Sequence, residues 1–227
     1  MSPGPCRGFS LALPVYSDGV LQQESVLSAG THPYLKPARK WHAIVFVVGA
    51  VALGGIWLAN QSQRGAIGPV SAEATWMPRH PSDRWECIVI HHSASDIGGA
   101  DRFDQWHKAR GWDGLGYDFV IGNGTDTPDG RVEVGFRWDE QARGAHCKTP
   151  DEYYNSHGIG ICLVGNFDHY NPTAAQMKSL VRLCRFLCKH FHISPDEICT
   201  HGGVTGKTDC PGKNFDVDDL RDKVRGG

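Results

Sequence analysis

A histidine and a cysteine lie nine residues apart near the C-terminal end of the chain, in the segment HGGVTGKTDCPG that runs from His201 to Gly212. Its glycines let the backbone bend back on itself, so the side chains of His201 and Cys210 can approach one metal ion. Far upstream, the segment IVIHHSAS places His91 and His92 at the C-terminal end of a β-branched run. One of these imidazoles, with His201 and Cys210, supplies three N/S ligands and leaves a fourth tetrahedral position open. That donor set is typical of catalytic zinc rather than structural zinc.

The elements that must position these ligands follow from hydrophobic periodicity. Strands are predicted over residues 87–92, 117–122, 131–137 and 158–165, and the second and third flank a turn that ends at Asp129-Gly130, as in a hairpin. Helices are predicted over residues 101–110, after a T-x-x-Q capping box at Thr173 and Gln176, at a turn that starts at Ser194, and from near Asp216. This order predicts an α/β fold with a single mixed central β-sheet flanked by helices.

The first 83 residues differ in composition from the rest. Residues 1–40 carry Pro, Gly and Ser without sustained periodicity, which predicts a disordered tail. Residues 41–60, WHAIVFVVGAVALGGIWLAN, contain no Asp, Glu, Lys or Arg, and Trp41 and Trp57 lie near the ends. About 18 apolar residues can cross the ~30 Å core of a bilayer as one transmembrane helix, with indole rings at the interfaces. Residues 61–83 are predicted to form a linker, and residues 84–227 the folded domain.

Basic residues flank the apolar segment unequally. Lys36, Arg39 and Lys40 precede it, whereas Arg64 alone closely follows it. The positive-inside bias therefore predicts a single-pass protein with a cytoplasmic N-terminus and a catalytic domain on the periplasmic or cell-wall side. The alternative is secretion after cleavage of a signal peptide, although the apolar run is long for an h-region and a tail of about 40 residues is long for an n-region.

Composition argues against two other kinds of site. The formal charge of −2 gives no electrostatic support for nucleic-acid binding, which requires a basic face. The eight cysteines include no CxxC pair, so a structural zinc site of four thiolates is not expected. Cys162, Cys184 and Cys188 lie in strand-like or helix-periodic apolar runs, which predicts small buried hydrophobic residues.

Five segments of the chain carry a family resemblance when they are taken together and in order. They are IVIHHSAS, WHKARGWDGLGYDFVIGNG, RGAHC, YNSHGIGICLVGNF and HGGVTGKTDCPG. They resemble the zinc N-acetylmuramoyl-L-alanine amidases, the family that includes bacteriophage lysozyme-type amidases and peptidoglycan recognition proteins. The resemblance covers residues from about 86 to about 220. It implies the amidase/PGRP-like fold, a Zn2+ cofactor, and peptidoglycan or a muropeptide as substrate.

By motif position, the resemblance implies zinc ligands at His91, His201 and Cys210. Successive strand residues point to opposite faces, so only one of His91 and His92 is expected to bind, and the family tolerates other residue types at the place of His92. The gap between His201 and Cys210 is one residue longer than in the family. A related branch, the anhydro-muropeptide amidases, uses Asp as third ligand, which makes Asp209 the alternative to Cys210. Cys-Pro-Gly matches the thiolate branch, and the softer thiolate donor suits zinc.

The resemblance also implies roles for residues around the metal. Tyr117 matches a tyrosine that faces the family's site, where it would orient water or shuttle a proton to the departing amine. Packing in a strand is the alternative reading of Tyr117. Thr208 and the adjacent Lys207 lie where the family places a donor for the oxyanion, and simple solvation is their alternative. His146 and Asn155 match positions that line the muropeptide groove.

Together with the apolar run, the resemblance implies a membrane-anchored zinc hydrolase that cleaves the amide bond between N-acetylmuramic acid and L-alanine of peptidoglycan. Zinc in such a site generates a nucleophile near neutral pH and polarises the scissile carbonyl. A non-lytic peptidoglycan-binding module is one alternative, but such relatives typically lack the metal-binding cysteine. A recycling amidase that acts on soluble anhydro-muropeptides is the other, and Asp209 keeps it open although that function belongs in the cytoplasm.

Overall fold

One five-stranded sheet forms the centre of the computed structural model, which describes residues 72–226. Its strands are β1 (Cys87–His92), β2 (Phe119–Ile121), β3 (Val132–Val134), β4 (Gly158–Leu163) and β5 (Ile198–Thr200). Their spatial order is β3-β2-β4-β1-β5. β1 pairs in parallel with β4 and β5, β2 pairs in parallel with β4, and β3 runs antiparallel to β2. The predicted mixed α/β sheet is confirmed, and so is the hairpin.

Six α-helices are described around the sheet in residues 72–226. They are α1 (Ala100–Ala109), α2 (Phe136–Asp139), α3 (Tyr153–His157), α4 (Ala174–Phe191), α5 (His201–Thr205) and α6 (Val217–Arg225). The predicted capping box begins α4, since Thr173 Oγ1 accepts from the N–H of Gln176 at 3.0 Å and Gln176 Oε1 accepts from the N–H of Thr173 at 3.1 Å. The Asp216 carboxylate caps α6 by accepting from the backbone N–H groups of Asp218 and Asp219, and Ser194 caps a short 3-10 helix. The capping side chains therefore predicted correctly where these helices begin.

The two faces of the sheet bury different helices. On one face, Ile88, Ile90 and Ile161 pack in one hydrophobic cluster with Leu180 and Leu187 of α4. On the other face, a smaller cluster joins Phe103 of α1 to Val120, Cys162 and Val164. A strand buried on both faces reads as a continuous apolar run, as β1 and β4 do. Cys162 and Cys184 are buried free thiols, as predicted, and Cys188 is half-buried.

The third predicted strand is shorter than expected. Residues 131–137 were expected to be extended, but β3 ends at Val134 and the α2 helix begins at Phe136. The reason is tertiary, because the buried Arg137 guanidinium donates to the carbonyls of Leu115 at 2.8 Å and Arg143 at 2.6 Å. The strand β5 and the helices α3 and α5 were not predicted, since segments of three to five residues carry no readable periodicity.

The described part of the predicted linker packs onto the domain. Residues 72–75 form a 3-10 helix, and the indole of Trp76 is buried against the ring of Phe186 at a centroid distance of 5.6 Å. The Trp138 indole N–H donates to the Trp76 carbonyl at 2.7 Å. Trp76 therefore packs with the domain although it precedes the predicted boundary at residue 84.

The remaining N-terminal predictions concern residues that the structure does not describe. The predicted tail (1–40), transmembrane helix (41–60) and first part of the linker lie outside the described residues. Within residues 72–226, no helix combines the length and apolarity that a membrane crossing requires.

Candidate metal centre

His91 reaches the site through its position in β1. Alternation along the strand places it on the face of Cys87 and Val89. His92 turns to the opposite face, where its Nδ1 accepts a hydrogen bond from the backbone N–H of Phe167 at 3.2 Å. The structure thus brings His91, and not His92, towards the C-terminal pair.

His201 and Cys210 are brought together by a short helix and a returning loop. His201 is the first residue of α5, directly after β5. The N–H of Gly202 donates to the carbonyl of Cys210 at 2.7 Å. A Cβ at residue 202 would lie 2.3 Å from the carbonyl oxygen of Thr208, so the loop can return this closely only over a glycine.

The three predicted ligands form one group. Among the described residues, the candidate ligand atoms of His91, His201 and Cys210 all lie within 4.8 Å of one another. Nδ1 of His91 lies 3.9 Å from Sγ of Cys210, and the His91 and His201 ring centroids are 4.8 Å apart. Asp209 is exposed and is not a member of this group.

The two predicted substrate-binding residues make contacts within the protein. His146 Nδ1 lies 3.1 Å from Nε2 of His91, and the His146 side chain has no exposed surface. The Asn155 Oδ1 accepts from the backbone N–H groups of His146 at 2.9 Å and Cys147 at 2.8 Å, while its Nδ2 donates to Glu152 at 2.9 Å. Their contact with substrate stays a prediction.

Tyr117 lies beside the first ligand. Its ring centroid is 5.2 Å from that of His91, and its hydroxyl interacts with the Cys162 thiol. Burial raises the pKa of Tyr117 well above its usual value, so the hydroxyl keeps its proton. The position fits a residue that faces the metal, and its role in proton transfer stays a prediction.

A cleft of about 610 Å³ opens next to the group, with His201 in its wall. Lys207 and Thr208 also line it, and both are exposed. Thr208 Oγ1 accepts from the N–H of Cys210 at 3.2 Å, which leaves its hydroxyl proton free to donate elsewhere. The cleft is further lined by Trp112, Arg143, Lys148 and Asn155. Through His201, the metal-capable group therefore borders a space large enough for a sizeable ligand.

Comparison with known proteins decides the family. Residues 81–213, more than half of the chain, match the family model Amidase_2, N-acetylmuramoyl-L-alanine amidase. The chain belongs to this amidase family.

Individual relatives agree with that assignment. The endolysin of Enterobacteria phage T3 is 42% identical over 145 residues, which cover 60% of this chain and 85% of the phage protein. The peptidoglycan-recognition protein SC2 of Drosophila melanogaster is 28% identical over 182 residues, 76% of this chain and 89% of that protein. Among solved structures, the N-acetylmuramoyl-L-alanine amidase LysC from Clostridium intestinale URNW superposes with a TM-score of 0.54 at 32% identity, covering 66% of this chain and 93% of LysC. The amidase therefore has the amidase/PGRP-like fold.

Burial sets the protonation states of the ligand group in this amidase. The pKa of His91 is lowered well below its usual value, first by burial and then by the neighbouring imidazoles of His146 and His201. Burial also lowers the pKa of His201 and raises the pKa of the Cys210 thiol to about 11. The imidazoles are neutral at neutral pH, as metal ligands must be, whereas the thiol would lose its proton on binding a metal.

The donor set fits zinc. Tetrahedral zinc with ordinary bonds to nitrogen and sulfur requires ligand atoms about 3.3–3.8 Å apart. The separation of 3.9 Å between His91 and Cys210 is close to that range, and the largest separation within the group, at most 4.8 Å, needs a contraction of about 1 Å. Two imidazole nitrogens and a sulfur also match the soft-to-borderline ligands that zinc prefers.

Asp118 is a buried acid near the site that no sequence motif indicated. Its Oδ2 accepts from the N–H of Gly160 at 2.8 Å and lies 4.0 Å from Nε2 of His146, while Oδ1 has no hydrogen-bond partner among the described residues. Burial raises the pKa of Asp118 to about 7, against the hydrogen bond from Gly160 and the charges of Arg84 and Arg137. The available signal was an acid within the apolar strand segment YDFVIG.

Proposed function

We propose that this amidase is a zinc-dependent hydrolase that cleaves the amide bond between N-acetylmuramic acid and L-alanine in peptidoglycan. The observation that carries the proposal is the convergence of His91, His201 and Cys210 within 4.8 Å beside an open cleft. A non-lytic binding module does not require this donor set. The names of the relatives, endolysin and N-acetylmuramoyl-L-alanine amidase, support the same chemistry.

The chain's own side chains would assist the reaction around the metal. Bound zinc would supply a nucleophile near neutral pH and polarise the scissile carbonyl. The developing oxyanion needs a further donor, and the Thr208 hydroxyl, with Lys207 beside it, lies on the cleft wall to provide it. The departing amine needs a proton, and Tyr117, which keeps its hydroxyl proton next to His91, would orient water or pass that proton on.

The cleft is suited to a muropeptide. Lys148 and Lys207 carry positive charge that complements the carboxylates of a stem peptide. The exposed indole of Trp112 offers an apolar face to a sugar ring. His146 and Asn155 would shape the cleft from beneath, since both lie at its wall and both are buried.

Mass spectrometry of reaction products tests the proposed activity. The zinc-loaded protein is incubated with purified sacculi and, separately, with soluble anhydro-muropeptides. We expect sacculi to release stem peptides with a free L-alanine amine, and a zinc chelator to stop the release until zinc is returned. Binding to sacculi without release would indicate the non-lytic module instead. Cleavage of the soluble substrates alone would indicate a recycling amidase.

We propose further that residues 41–60 anchor the amidase in a membrane as a single helix, with the catalytic domain on the periplasmic or cell-wall side. The support is the uncharged apolar run and the excess of basic residues before it. Secretion after signal cleavage is the competing arrangement.

A reporter fusion tests this topology. A reporter that is active only outside the cytoplasm is joined after Asn60, and the molecular weight of the fused chain is measured. We expect an active reporter on a full-length, membrane-bound chain. As a matched control, replacing Lys36, Arg39 and Lys40 with Glu should reduce the reporter signal, because these residues are proposed to set the orientation. A cytoplasmic reporter signal in the native sequence contradicts the proposal, and a shortened soluble chain supports secretion.

A further inference from the structure

We propose that His146 is a positioning residue for His91, whose imidazole it holds in the tautomer that presents a bare Nδ1 to the metal. This inference rests on the proposed zinc site. It gives a different role to a residue that the family resemblance places in the substrate groove.

A chain of hydrogen bonds determines the tautomers. Nε2 of His146 lies 3.2 Å from the carbonyl oxygen of Gly158, which can only accept. Asp118 Oδ2 lies 4.0 Å from the same nitrogen, too far for a hydrogen bond, although a carboxylate at that distance also favours a proton on Nε2. The proton of the neutral His146 ring therefore belongs on Nε2, and its Nδ1 is left as an acceptor.

The tautomer of His146 in turn determines the tautomer of the metal ligand His91. Nε2 of His91 lies 3.1 Å from Nδ1 of His146, so it must carry the proton and donate. The lone pair of His91 then resides on Nδ1, the atom that lies 3.9 Å from the sulfur of Cys210. A metal-bound histidine whose other nitrogen donates a hydrogen bond in this way is fixed in both tautomer and ring orientation.

The His146 ring is closely packed against two glycines. A Cβ at Gly144 would lie 2.6 Å from the ring's Cδ2, and a Cβ at Gly160 would lie 2.5 Å from the same atom. The imidazole thus occupies a slot between Gly144 and Gly160, and a side chain at either position would overlap the ring. Asn155 fixes the backbone of His146 through its amide oxygen. Since the imidazole has no exposed surface, it acts on the site through His91 rather than through substrate.

The tautomers can be measured directly in the unaltered protein. Long-range proton–nitrogen NMR correlation of the zinc-loaded, 15N-labelled amidase assigns the protonated nitrogen of each ring. We expect both His91 and His146 to be protonated on Nε2, with the His91 Nδ1 signal shifted by the metal. A His146 proton on Nδ1, or metal on Nε2 of His91, would overturn the inference.

Two substitutions of His146 test separately its acceptor atom, Nδ1, and its donor atom, Nε2. The carbonyl oxygen of Asn lies at about the position of Nδ1 of histidine, so His146→Asn keeps the acceptor for His91. The amide nitrogen of Gln lies at about the position of Nε2, so His146→Gln keeps the donor to Gly158 and loses that acceptor. We expect His146→Gln to weaken zinc binding about 10- to 100-fold, and His146→Asn to remain within about threefold of the native protein.

Zinc affinity is read by competition with a chromogenic chelator, and the absorption of the cobalt-substituted proteins reports the ligand geometry. Equal affinities for all three proteins, or an equal loss in both variants, would overturn the positioning role while leaving the zinc site intact. If the native protein and Cys210→Ser bind zinc equally, the proposed zinc site itself fails, and the inference fails with it. Should a variant not fold, the NMR measurement on the native protein decides.

Discussion

The three candidate ligands depend on residues that lie far apart in the chain, since His91 precedes His201 by 110 positions. Two of the three candidate ligands contact a neighbouring polar group. Nε2 of His91 lies 3.1 Å from Nδ1 of His146, and the sulfur of Cys210 accepts from the N–H of His92 at 3.4 Å. Residue-scale substitutions should therefore discriminate sharply between ligands and neighbours.

The identity of the third ligand is testable with an adjacent pair of variants. Cys210→Ser replaces the thiolate with a hydroxyl that binds zinc poorly, so we expect zinc loss and an activity decrease of at least about 100-fold. Asp209→Asn alters an exposed residue outside the ligand group and should retain native zinc content. Metal analysis and peptide release from sacculi provide the measurements. The opposite pattern would make Asp209 the ligand.

Asp118 should make stability fall as pH rises. Its pKa is raised to about 7 in the folded protein, so the folded state binds a proton that the unfolded state has released above about pH 4. This contribution is complete below pH 4 and is lost as pH rises through 7. Between pH 5 and pH 8, this group should lower the free energy of unfolding of the native protein by about 2–3 kcal/mol. The Asp118→Asn variant should lack that decrease.

The measurement is urea unfolding of both proteins at the two pH values, with a chelator present so that metal binding adds nothing. Asn is isosteric with the protonated carboxyl and keeps an acceptor for the Gly160 N–H. Parallel pH profiles for the two proteins would show that Asp118 ionises normally in the folded state.

At the scale of elements, the helix α5 determines how closely the cysteine loop approaches His201. Its first turn contains Gly202 and Gly203, and only the first of them touches the loop backbone. The close approach is a property of the helix–loop contact, because the two ligands are carried by different segments that meet at this glycine.

Gly202→Ala should therefore disturb the metal site, whereas Gly203→Ala should not. A Cβ at 202 would lie 2.3 Å from the Thr208 carbonyl oxygen and 3.0 Å from that of Cys210, so the loop must move. A Cβ at 203 would meet only the Thr200 hydroxyl, at 2.9 Å, and that side chain can rotate at a cost of about 1 kcal/mol in helix capping. We expect at least a tenfold loss of zinc affinity in the first variant alone. Equal affinities in chelator competition would contradict this account of the loop.

For the whole molecule, the folded domain begins earlier than composition suggests. The Trp76 indole is 3% exposed and packs in the main hydrophobic cluster, with the Arg182 guanidinium 5.1 Å from its ring. Trp76 is therefore packed with the domain, although it lies within the segment predicted to be a linker.

Trp76→Ala should lower the free energy of unfolding by about 3–5 kcal/mol, since it leaves a large cavity in the cluster. Met77→Ala is the matched control, because Met77 is 38% exposed and its loss should change stability by no more than about 0.5 kcal/mol. Chemical denaturation of the two variants provides the comparison. A Trp76 variant as stable as the native protein would contradict the conclusion that Trp76 packs as part of the folded domain.

The sequence by itself determined the features that depend on local chemistry. Continuous apolar runs predicted β1 and β4, and the side chains of Thr173 and Asp216 predicted the starts of α4 and α6. The family resemblance implied His91, His201 and Cys210 as the ligand set, which stays a prediction. Strand alternation also explained why His91 and His92 could not both bind, although it did not say which of them faces the site.

Only the tertiary structure decided the features that depend on contacts between distant segments. The slot for His146 exists because Gly144 and Gly160 meet on either side of one ring. The burial of Asp118 and of Trp76 likewise arises from the closure of the core around them. No local pattern encodes such contacts, because their free energy depends on which surfaces the folded chain brings together.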